Sequence, residues 1–221
     1  MQLSKETLNK LKNFAEINQN LLIKDGSSLT TLSSGKTVMA TASVPEVFSV
    51  SEKGFGIYDL NEFLGMLSLF ENPDLEFSEK YVTLTEGRTS IKYFSADQSV
   101  LTYPTKTLEM PTPEITFPLT SAVLQSIRKV AAVLKTQYVS IVGDGSTITI
   151  KVADHKNATA PAYISEIGTT DKEFNVILTV DNLKILPGDY QVEISSKKIS
   201  KFSNAELTYF VACEATSTFS V

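Results

Sequence analysis

The sequence predicts an α+β protein made of two similar domains, each combining helices with short strands. A length of 221 residues is enough for two domains of roughly 110 residues each. Hydrophobic residues make up 42% of the chain and charged residues 20%, as in ordinary soluble globular proteins. A proline-rich stretch lies near the middle of the chain, and the order of elements before it recurs after it.

The most regular helical pattern spans residues 120–135. Apolar side chains recur there at three- and four-residue steps and would form one face of a helix: Val123, Leu124, Ile127, Val130, Ala131 and Leu134. The other face carries Gln125, Arg128 and Lys129, with Lys135 in the last turn, and the segment contains no acidic residue. This basic stripe is either a solvated face whose C-terminal lysine suits the helix dipole or a surface with a function of its own.

A second basic helix is predicted near the N-terminus, over residues 4–17. Ser4 is a good N-cap, and the apolar positions of the pattern are Leu8, Leu11, Phe14 and Ile17. Lys5 and Lys12 fall on the opposite face, and Lys10 falls to one side. The chain therefore places lysines on the polar side of two separate amphipathic helices.

The rest of the first half is predicted to form short strands around another helix at residues 58–70. The strands are expected at residues 21–24, 28–32, 36–43, 75–77, 81–86 and 90–94. Asp25 and Gly26 would form the turn of a hairpin between the first two strands. A second helix and three further strands thus complete the first domain.

Residues 98–117 predict an extended connector between the domains. They contain Pro104, Pro111 and Pro113, with Pro118 just beyond, and proline removes backbone donors and stiffens the chain. The domains are accordingly predicted as residues 1–110, which include the connector from about residue 98, and residues 111–221.

The second half repeats the order of the first. Strands are predicted at residues 138–142, 147–152, 174–179, 190–195, 198–202 and 206–213, with a short helix at 180–186. Asp144 and Gly145 form a turn signal that corresponds to Asp25 and Gly26, 119 positions earlier. The two helix starts, Ser4 and Thr120, are 116 positions apart. Nearly constant offsets of this kind indicate a duplicated domain.

Composition argues against catalysis. His155 is the only histidine and lies in a polar segment, where an exposed loop residue is expected, and Cys213 is the only cysteine, so no internal disulfide can form. No pair of these residues has metal-ligand spacing, and no phosphate-binding glycine loop is present. We therefore predict a non-enzyme without metal or cofactor. The N-terminal segment lacks a signal-peptide pattern, and no stretch is long enough for a membrane span, so we expect a soluble, cytoplasmic protein.

The net charge of −5 argues against a protein that coats nucleic acid by bulk attraction. It leaves room for a local basic surface such as the two helices described above.

Three sets of short stretches are distinctive in their order of residues. The most specific is Ile57-Tyr58-Asp59-Leu60-Asn61, followed by Phe63-Leu64-Gly65 and Leu67-Ser68-Leu69. The others are Leu3-Ser4-Lys5 with Leu11-Lys12-Asn13-Phe14-Ala15 and Ile17-Asn18, and Pro187-Gly188 with Tyr190, Glu214-Ala215 and Ser217-Thr218. In these stretches the chain resembles one family, the DNA polymerase sliding clamps of T-even-type tailed bacteriophages. The match is loose between about residues 97 and 118 and around His155.

The resemblance implies a DNA clamp fold and a ring of three chains around duplex DNA. Four helices per chain would line the lumen, and β-sheets would form the outside. The ring would tether the replicative polymerase in the cytoplasm of the infected bacterium. An ATP-dependent clamp loader would open it, and a late-transcription sigma-like factor and coactivator are further implied partners.

Two sets of site residues follow from that resemblance. The DNA-facing residues would be Lys5, Lys10, Lys12, Arg128, Lys129 and Lys135. A pocket for partner peptides would involve Leu101, Tyr103 and Pro104 on the connector and Phe219 and Val221 near the C-terminus. Edge strands of neighbouring chains should pair to close the ring. The alternative is a non-enzymatic, ring-forming phage structural protein such as a tail or baseplate subunit.

Overall fold

The computed structural model describes residues 1–154, 159 and 161–220. These residues divide into two compact units, the first ending at Thr107 and the second beginning at Leu108. The sequence analysis places the boundary slightly later, after residue 110. No helix among the described residues is both long and apolar enough to cross a membrane.

The N-terminal unit contains two helices and seven strands. The helices are α1 (Lys5–Ile17) and α2 (Leu60–Leu67). The strands are β1 (Leu21–Ile23), β2 (Gly26–Leu32), β3 (Val38–Phe48), β4 (Phe55–Ile57), β5 (Asp74–Phe77), β6 (Tyr81–Glu86) and β7 (Thr89–Phe94).

The predicted hairpin at Asp25 and Gly26 is wrong. β1 pairs antiparallel with β4, and β2 pairs antiparallel with β3 instead. All three residues of β1 are buried, whereas β2 alternates, so the two strands cannot share one half-exposed hairpin. Gly26 has φ of 110°, a conformation that mainly glycine adopts. At this residue the chain passes from the β1–β4 pair to the β2–β3 pair. The observed hairpin turn lies at Ser33, whose carbonyl accepts from the Lys36 N–H at 2.8 Å.

Aromatic side chains fill the core of the N-terminal unit. Phe77 makes edge-to-face contacts with Phe48 and Phe55, with ring centroids 5.9 and 5.2 Å apart. Phe63 on α2 packs in the same way against Tyr93, at 5.3 Å. These contacts join α2 to the sheet of β5, β6 and β7, which pair in that order.

The described residues of the C-terminal unit form one helix and nine strands. The helix is α3 (Ser121–Leu134). The strands are β8 (Ile115–Leu119), β9 (Tyr138–Asp144), β10 (Thr147–Val152), β11 (Tyr163–Thr169), β12 (Glu173–Thr179), β13 (Tyr190–Ser195), β14 (Ile199–Ser203), β15 (Leu207–Ala212) and β16 (Thr218–Ser220). Five of them form a sheet in the order β11-β10-β9-β12-β16, and β15, β14, β13 and β8 pair in that order.

The predicted hairpin at Asp144 and Gly145 is confirmed. β9 and β10 pair antiparallel, with Gly143 opposite Ile148. The Asp144 carboxylate accepts from the N–H groups of Ser146 and Thr147 at 2.9 and 2.8 Å. These donations hold the pKa of this carboxyl far below its ordinary value.

The end of the predicted connector is a strand. β8 pairs with β13 and buries Ile115, Phe117 and Leu119 on one face. Pro118 is tolerated in β8 because this strand pairs on one side only. The alternation of apolar residues therefore outweighs the proline signal at residues 115–119.

The predicted helix at residues 180–186 is a single 3₁₀ turn, Val180–Leu183. Leu183 and Ile185 are both buried, and side chains two residues apart lie on the same face only in extended chain. Thr179 also provides no side-chain cap. The chain therefore has three α-helices among the described residues and a 3₁₀ turn where a fourth helix is expected. β4, β11 and β16 were not predicted from the sequence.

Candidate functional site

Helix α1 presents a mixed polar stripe to solvent. Ser4 caps the helix by accepting from the Thr7 N–H at 3.1 Å. Lys5, Asn9, Lys12 and Glu16 are exposed, and their spacing places them on one face. Two of the three lysines predicted to face DNA are therefore accessible on this helix.

Lys10 does not belong to that accessible set. Its side chain is only 3% exposed, and Nζ lies 2.5 Å from the Glu6 carboxylate. The same nitrogen donates to the carbonyl of Ser43 on β3 at 2.7 Å. Helical periodicity places Lys10 at the border of the polar face, and β3 covers that border. The prediction that Lys10 faces DNA is therefore corrected, because its ammonium group is bonded to the Glu6 carboxylate and the Ser43 carbonyl.

A carboxylate on β3 holds the start of α1. Glu46 accepts from the Ser4 N–H and from the Thr7 hydroxyl. Burial raises the pKa of Glu46, but the donations from Thr7 and Ser4 outweigh it and hold the pKa below its ordinary value. A negative charge at a helix N-terminus also suits the helix dipole. The orientation of α1, and of Lys5 on its first turn, thus depends on β3.

Helix α3 is the only one of the three α-helices in the described residues without a carboxylate. Its exposed positions include Ala122, Gln125, Lys129 and Ala132, which form one outward stripe. The Ser121 N–H at its start donates to the Asp189 carboxylate at 2.7 Å. Lys129 is the one charged residue on this stripe, and it is exposed among neutral neighbours.

The other two predicted basic residues of this region have different settings. Arg128 is half-buried, and Nη1 donates to the carbonyl of Ile185 at 3.3 Å, so part of its donor capacity supports the chain after the 3₁₀ turn. Lys135 ends the helix in the left-handed region, with φ of 52°, and is exposed. Lys129 and Lys135 are therefore the most accessible cations of the set in this unit.

The acidic residues of α2 are partly used inside the helix. The Asp59 carboxylate caps α2 by accepting from the N–H groups of Asn61 and Glu62 at 2.9 and 3.1 Å. Glu62 is exposed in the first turn, where its charge also suits the helix dipole. The positions of both carboxylates at the start of α2 are therefore explained by their stabilising effect on this helix.

Residues 103–107 of the connector line one side of a groove in the N-terminal unit. Tyr103 and Pro104 line this groove of about 310 Å³, together with Thr105, Lys106 and Thr107 from the connector and Leu22, Lys24, Ser28, Thr30, Met39 and Thr41 from the strands. Leu101 does not line it. Its side chain lies over Gly56, where an added Cβ would come within 2.9 Å of Leu101 Cδ1. The structure therefore brings together two of the three predicted connector residues.

Sequence reasoning missed the strand residues of this groove. Met39 and Thr41 are alternate residues of β3, and Thr30 pairs with Thr41 across the β2–β3 hairpin. A period of two would have placed Met39 on the same face as Thr41. The groove itself depends on the path of the connector and could not be read from that pattern.

Phe219 lies in the other unit, on β16. It is half-buried and pairs with Phe174 on β12. Val221, predicted to belong to the same pocket, lies outside the described residues, as does His155. The structure thus assigns Phe219 a role in the sheet of the C-terminal unit.

The thiol of Cys213 is poorly suited to act as a nucleophile. Burial raises the pKa of the Cys213 thiol to about 12, so almost none of it is thiolate near neutral pH. Among the described residues, no group of three or more His, Cys, Asp or Glu could hold a metal ion.

Solved structures define the fold. Proliferating Cellular Nuclear Antigen from Entamoeba histolytica has a TM-score of 0.70 at 12% identity, and 94% of each chain is covered. The DNA polymerase III subunit beta of Borrelia burgdorferi has a TM-score of 0.73 at 10% identity, covering 98% of this chain and 64% of that one. The structure thus has the DNA clamp fold, as the sequence predicts.

Closer relatives identify the family. The family described as gp45 sliding clamp, C terminal, matches residues 116–215. The sliding clamp of Vibrio phage KVP40 is 33% identical over 97% of this chain and 100% of its own length. The sliding clamp of Enterobacteria phage T4 is 33% identical over 99% of both chains. The chain therefore belongs to the sliding clamp family of T4-type phages, which confirms the predicted resemblance and does not favour a phage structural protein.

Proposed function

We propose that three copies of this chain form a ring around duplex DNA and tether the replicative polymerase to it. The observation that carries the proposal is the outward stripe of α3, where Lys129 stands among neutral residues and no carboxylate is present. Lys5 and Lys12 on α1 provide a second, weaker basic surface. Both surfaces belong to a member of the sliding clamp family whose net charge is −5.

Sparse cations suit a protein that holds DNA topologically. A closed ring cannot dissociate sideways, so it needs no high affinity and no contact with base edges. Contacts between lysine and phosphate carry no sequence information, and each phosphate can be exchanged for the next. The DNA-facing set that we propose is Lys5, Lys12, Arg128, Lys129 and Lys135. Arg128 contributes least, because it is half-buried and already bonded.

The groove beneath the connector is the proposed site for a partner peptide. Its walls combine the apolar side chains of Leu22, Met39, Tyr103 and Pro104 with the lysines Lys24 and Lys106. A peptide with apolar or aromatic anchors and an acidic flank would suit such walls. A solved PCNA from A. fulgidus, 12% identical with a TM-score of 0.70, has the C-terminal region of FEN-1 bound to it. We propose that the polymerase uses the groove in this way.

Further partners follow from membership of the family. The ring would be opened by an ATP-dependent clamp loader and would act without catalysis of its own. A late-transcription sigma-like factor and coactivator would bind the same ring in the cytoplasm of the infected bacterium.

Charge reversal on α3 and α1 tests the lumen assignment. The variant combines Lys12→Glu and Lys129→Glu, and the matched control combines Lys53→Glu and Lys197→Glu, two exposed lysines outside the helices. Each variant is loaded on nicked circular DNA with clamp loader and ATP, and retention and polymerase processivity are measured. Since each lost phosphate contact lowers affinity and adds a repulsion, we expect retention to fall about tenfold or more in the lumen variant alone.

Two further measurements complete this experiment. Wild-type protein should be retained on circular DNA and lost when the DNA is linearised, because only a topological link depends on free ends. The lumen variant should keep the solution mass of three chains. Wild-type behaviour of the lumen variant would refute the assignment of these lysines, and equal retention on linear DNA would refute the ring.

A further inference from the structure

The hydroxyl of Tyr103 is bonded to another residue of the connector, whereas its ring lines the groove. The hydroxyl donates to Gln98 Oε1 at 3.1 Å, and the ring forms part of the groove wall next to Pro104. A tyrosine in this setting has an apolar body available to the groove and a polar end that is already satisfied. The orientation of the ring therefore depends on the position of one glutamine amide.

Gln98 is fixed on its own side of this bond. It is the first residue of a single 3₁₀ turn, which Asp97 caps by accepting from the Ser99 N–H at 2.8 Å. The Leu101 N–H closes the turn by donating to the Gln98 carbonyl at 3.2 Å. The side-chain Nε2 donates to the carbonyl of Lys53. Because the amide is bonded at both of its ends, the acceptor for the tyrosine hydroxyl has one orientation.

The backbone around Tyr103 leaves little freedom except in its side chain. The carbonyl of Thr102, the preceding residue, accepts from Asn18, and its N–H donates to Asn20. Pro104 follows, and a residue before proline is restricted to extended conformations. The remaining variables are the two side-chain torsions of Tyr103, and the bond from its hydroxyl restrains both of them.

We propose that Gln98 is a positioning residue for the groove beneath the connector. It holds the Tyr103 ring in the groove wall and thereby sets how tightly the groove binds an apolar or aromatic anchor of a partner peptide. Gln98 is not among the described residues that line this groove, so its effect on a peptide passes through Tyr103. The inference rests on the proposed function, since it takes the groove as the site of a partner peptide.

Preorganisation is the physical reason for this effect. A side chain that is free before binding and fixed afterwards loses conformational entropy, which weakens binding by about two- to tenfold for each such side chain. A ring that is already held in the wall has lost that freedom when the protein folds. Tyr103 is half-buried, so part of its surface is open to a peptide. The bond to Gln98 thus moves the ordering of this ring from the binding step to the folding step.

A purely structural role for Gln98 predicts a different behaviour. The amide would then support the 3₁₀ turn through the Lys53 carbonyl alone. Removal of the Tyr103 hydroxyl would leave peptide binding unchanged, and changes at the two residues would act independently. The two roles are therefore separated by combining changes at both ends of the Gln98–Tyr103 bond.

A double-mutant cycle tests the proposal. Tyr103→Phe removes the hydroxyl and keeps the ring, Gln98→Met keeps the side-chain length and removes both hydrogen bonds of the amide, and a third variant combines the two. Titration calorimetry gives the dissociation constant of each for the replicative polymerase of the same phage. Each single variant should bind about two- to tenfold more weakly. Because both changes remove the same bond, the double variant should be no weaker than the weaker single variant.

Val100→Thr is the matched control. Val100 lies in the same 3₁₀ turn and is 57% exposed, and threonine has nearly the same shape. This variant should bind the polymerase as wild type does. Hydrogen exchange at the Thr102 amide should keep its wild-type rate in Gln98→Met and in Tyr103→Phe, since the bond to Asn20 is intact. That rate shows whether the connector backbone has kept its path.

The position of the ring is also measured without a partner. In protein labelled only at tyrosine, the ring signals of Tyr103 are assigned by their loss in Tyr103→Phe. NMR relaxation then gives the order parameter of this ring, which should be high in wild type and should fall in Gln98→Met. Val100→Thr should leave it unchanged.

The outcomes separate this inference from the proposed function. An unchanged order parameter in Gln98→Met would overturn the positioning role, and so would additive losses in the double variant or wild-type affinity in both single variants. Met39→Glu, which places a charge in the groove, should abolish polymerase binding. Wild-type affinity in Met39→Glu would refute the proposed use of the groove and the claim about affinity with it, whereas the order parameter would still decide whether Gln98 holds Tyr103.

Discussion

The side-chain amide of Asn18 donates through Nδ2 to the carbonyl of Thr102 at 2.8 Å. The same nitrogen donates to the carbonyl of Leu32, also at 2.8 Å. The Thr102 N–H donates in turn to Asn20 Oδ1 at 2.9 Å. Two asparagines just after α1 thus bond both backbone groups of Thr102, and they fix the start of the connector beside the groove.

Replacing Asn18 by alanine should release this segment. Two carbonyls lose their donor, which should lower the free energy of unfolding by about 1–3 kcal/mol. Hydrogen exchange at the Thr102 amide should accelerate, and binding of a polymerase peptide to the groove should weaken. Asn9→Ala, at an exposed position of α1, is the control. Unchanged protection of Thr102 would show that Asn18 does not hold the connector.

Glu46 should make stability depend on acidic pH. Its folded pKa is lowered below the ordinary value of 4.5, so its contribution is complete above that value and is lost as the pH falls through the folded pKa. Glu46→Gln should be less stable than wild type at neutral pH by about 1–2 kcal/mol. The difference should shrink below about pH 4, as measured by chemical denaturation.

The control for Glu46 is Glu76→Gln, on the exposed side of β5. This variant should follow the wild-type curve at every pH. A gap between Glu46→Gln and wild type that stays constant into acid would contradict the assigned carboxylate.

Two glycines should respond to alanine in opposite directions. A Cβ at Gly143 would lie 2.7 Å from Phe174 Cζ and 2.8 Å from the Lys172 carbonyl oxygen. Gly143→Ala should therefore cost about 1–3 kcal/mol through overpacking. A Cβ at Gly65 in α2 meets nothing within 4 Å, so Gly65→Ala should stabilise the protein by about 0.5–1 kcal/mol. Denaturant midpoints measure both effects, and equal signs would disprove the packing argument.

Cys213 should resist alkylation. With its pKa raised to about 12 by burial, the thiol should react with iodoacetamide at pH about 8 far more slowly than an ordinary cysteine. Thr116→Cys, exposed on β8, provides a reactive thiol in the same protein for comparison. Mass spectrometry of the labelled peptides gives both rates. Equal labelling of the two thiols would contradict the raised pKa of Cys213.

Local patterns in the sequence predicted the features that depend on neighbouring residues. The amphipathic helices α1 and α3 and the Asp144 hairpin agree with the structure, because their apolar periods, caps and turn residues lie close together in the chain. The exposed lysines Lys5, Lys12 and Lys129 were also found in this way, since helical spacing alone places them opposite the apolar face.

The same local patterns failed where a distant segment decides the outcome. Asp25 and Gly26 carry the same turn signal as Asp144 and Gly145, but β1 pairs with β4, more than thirty residues away. Lys10 has a place on the helical wheel, but Glu6 and the Ser43 carbonyl hold its ammonium. A turn signal indicates that the chain reverses and does not specify which strands then pair.

By itself, the sequence determined the helices, most strands, the family and the sign of the exposed charge on α1 and α3. Each of these depends on residue types at short spacing, where propensity and periodicity act directly. Only the tertiary structure decided which strands pair, which lysine is buried, and where the connector covers a groove. Those features arise from contacts between segments far apart in the chain, and burial and hydrogen bonding at such contacts have no signature in any single window of sequence.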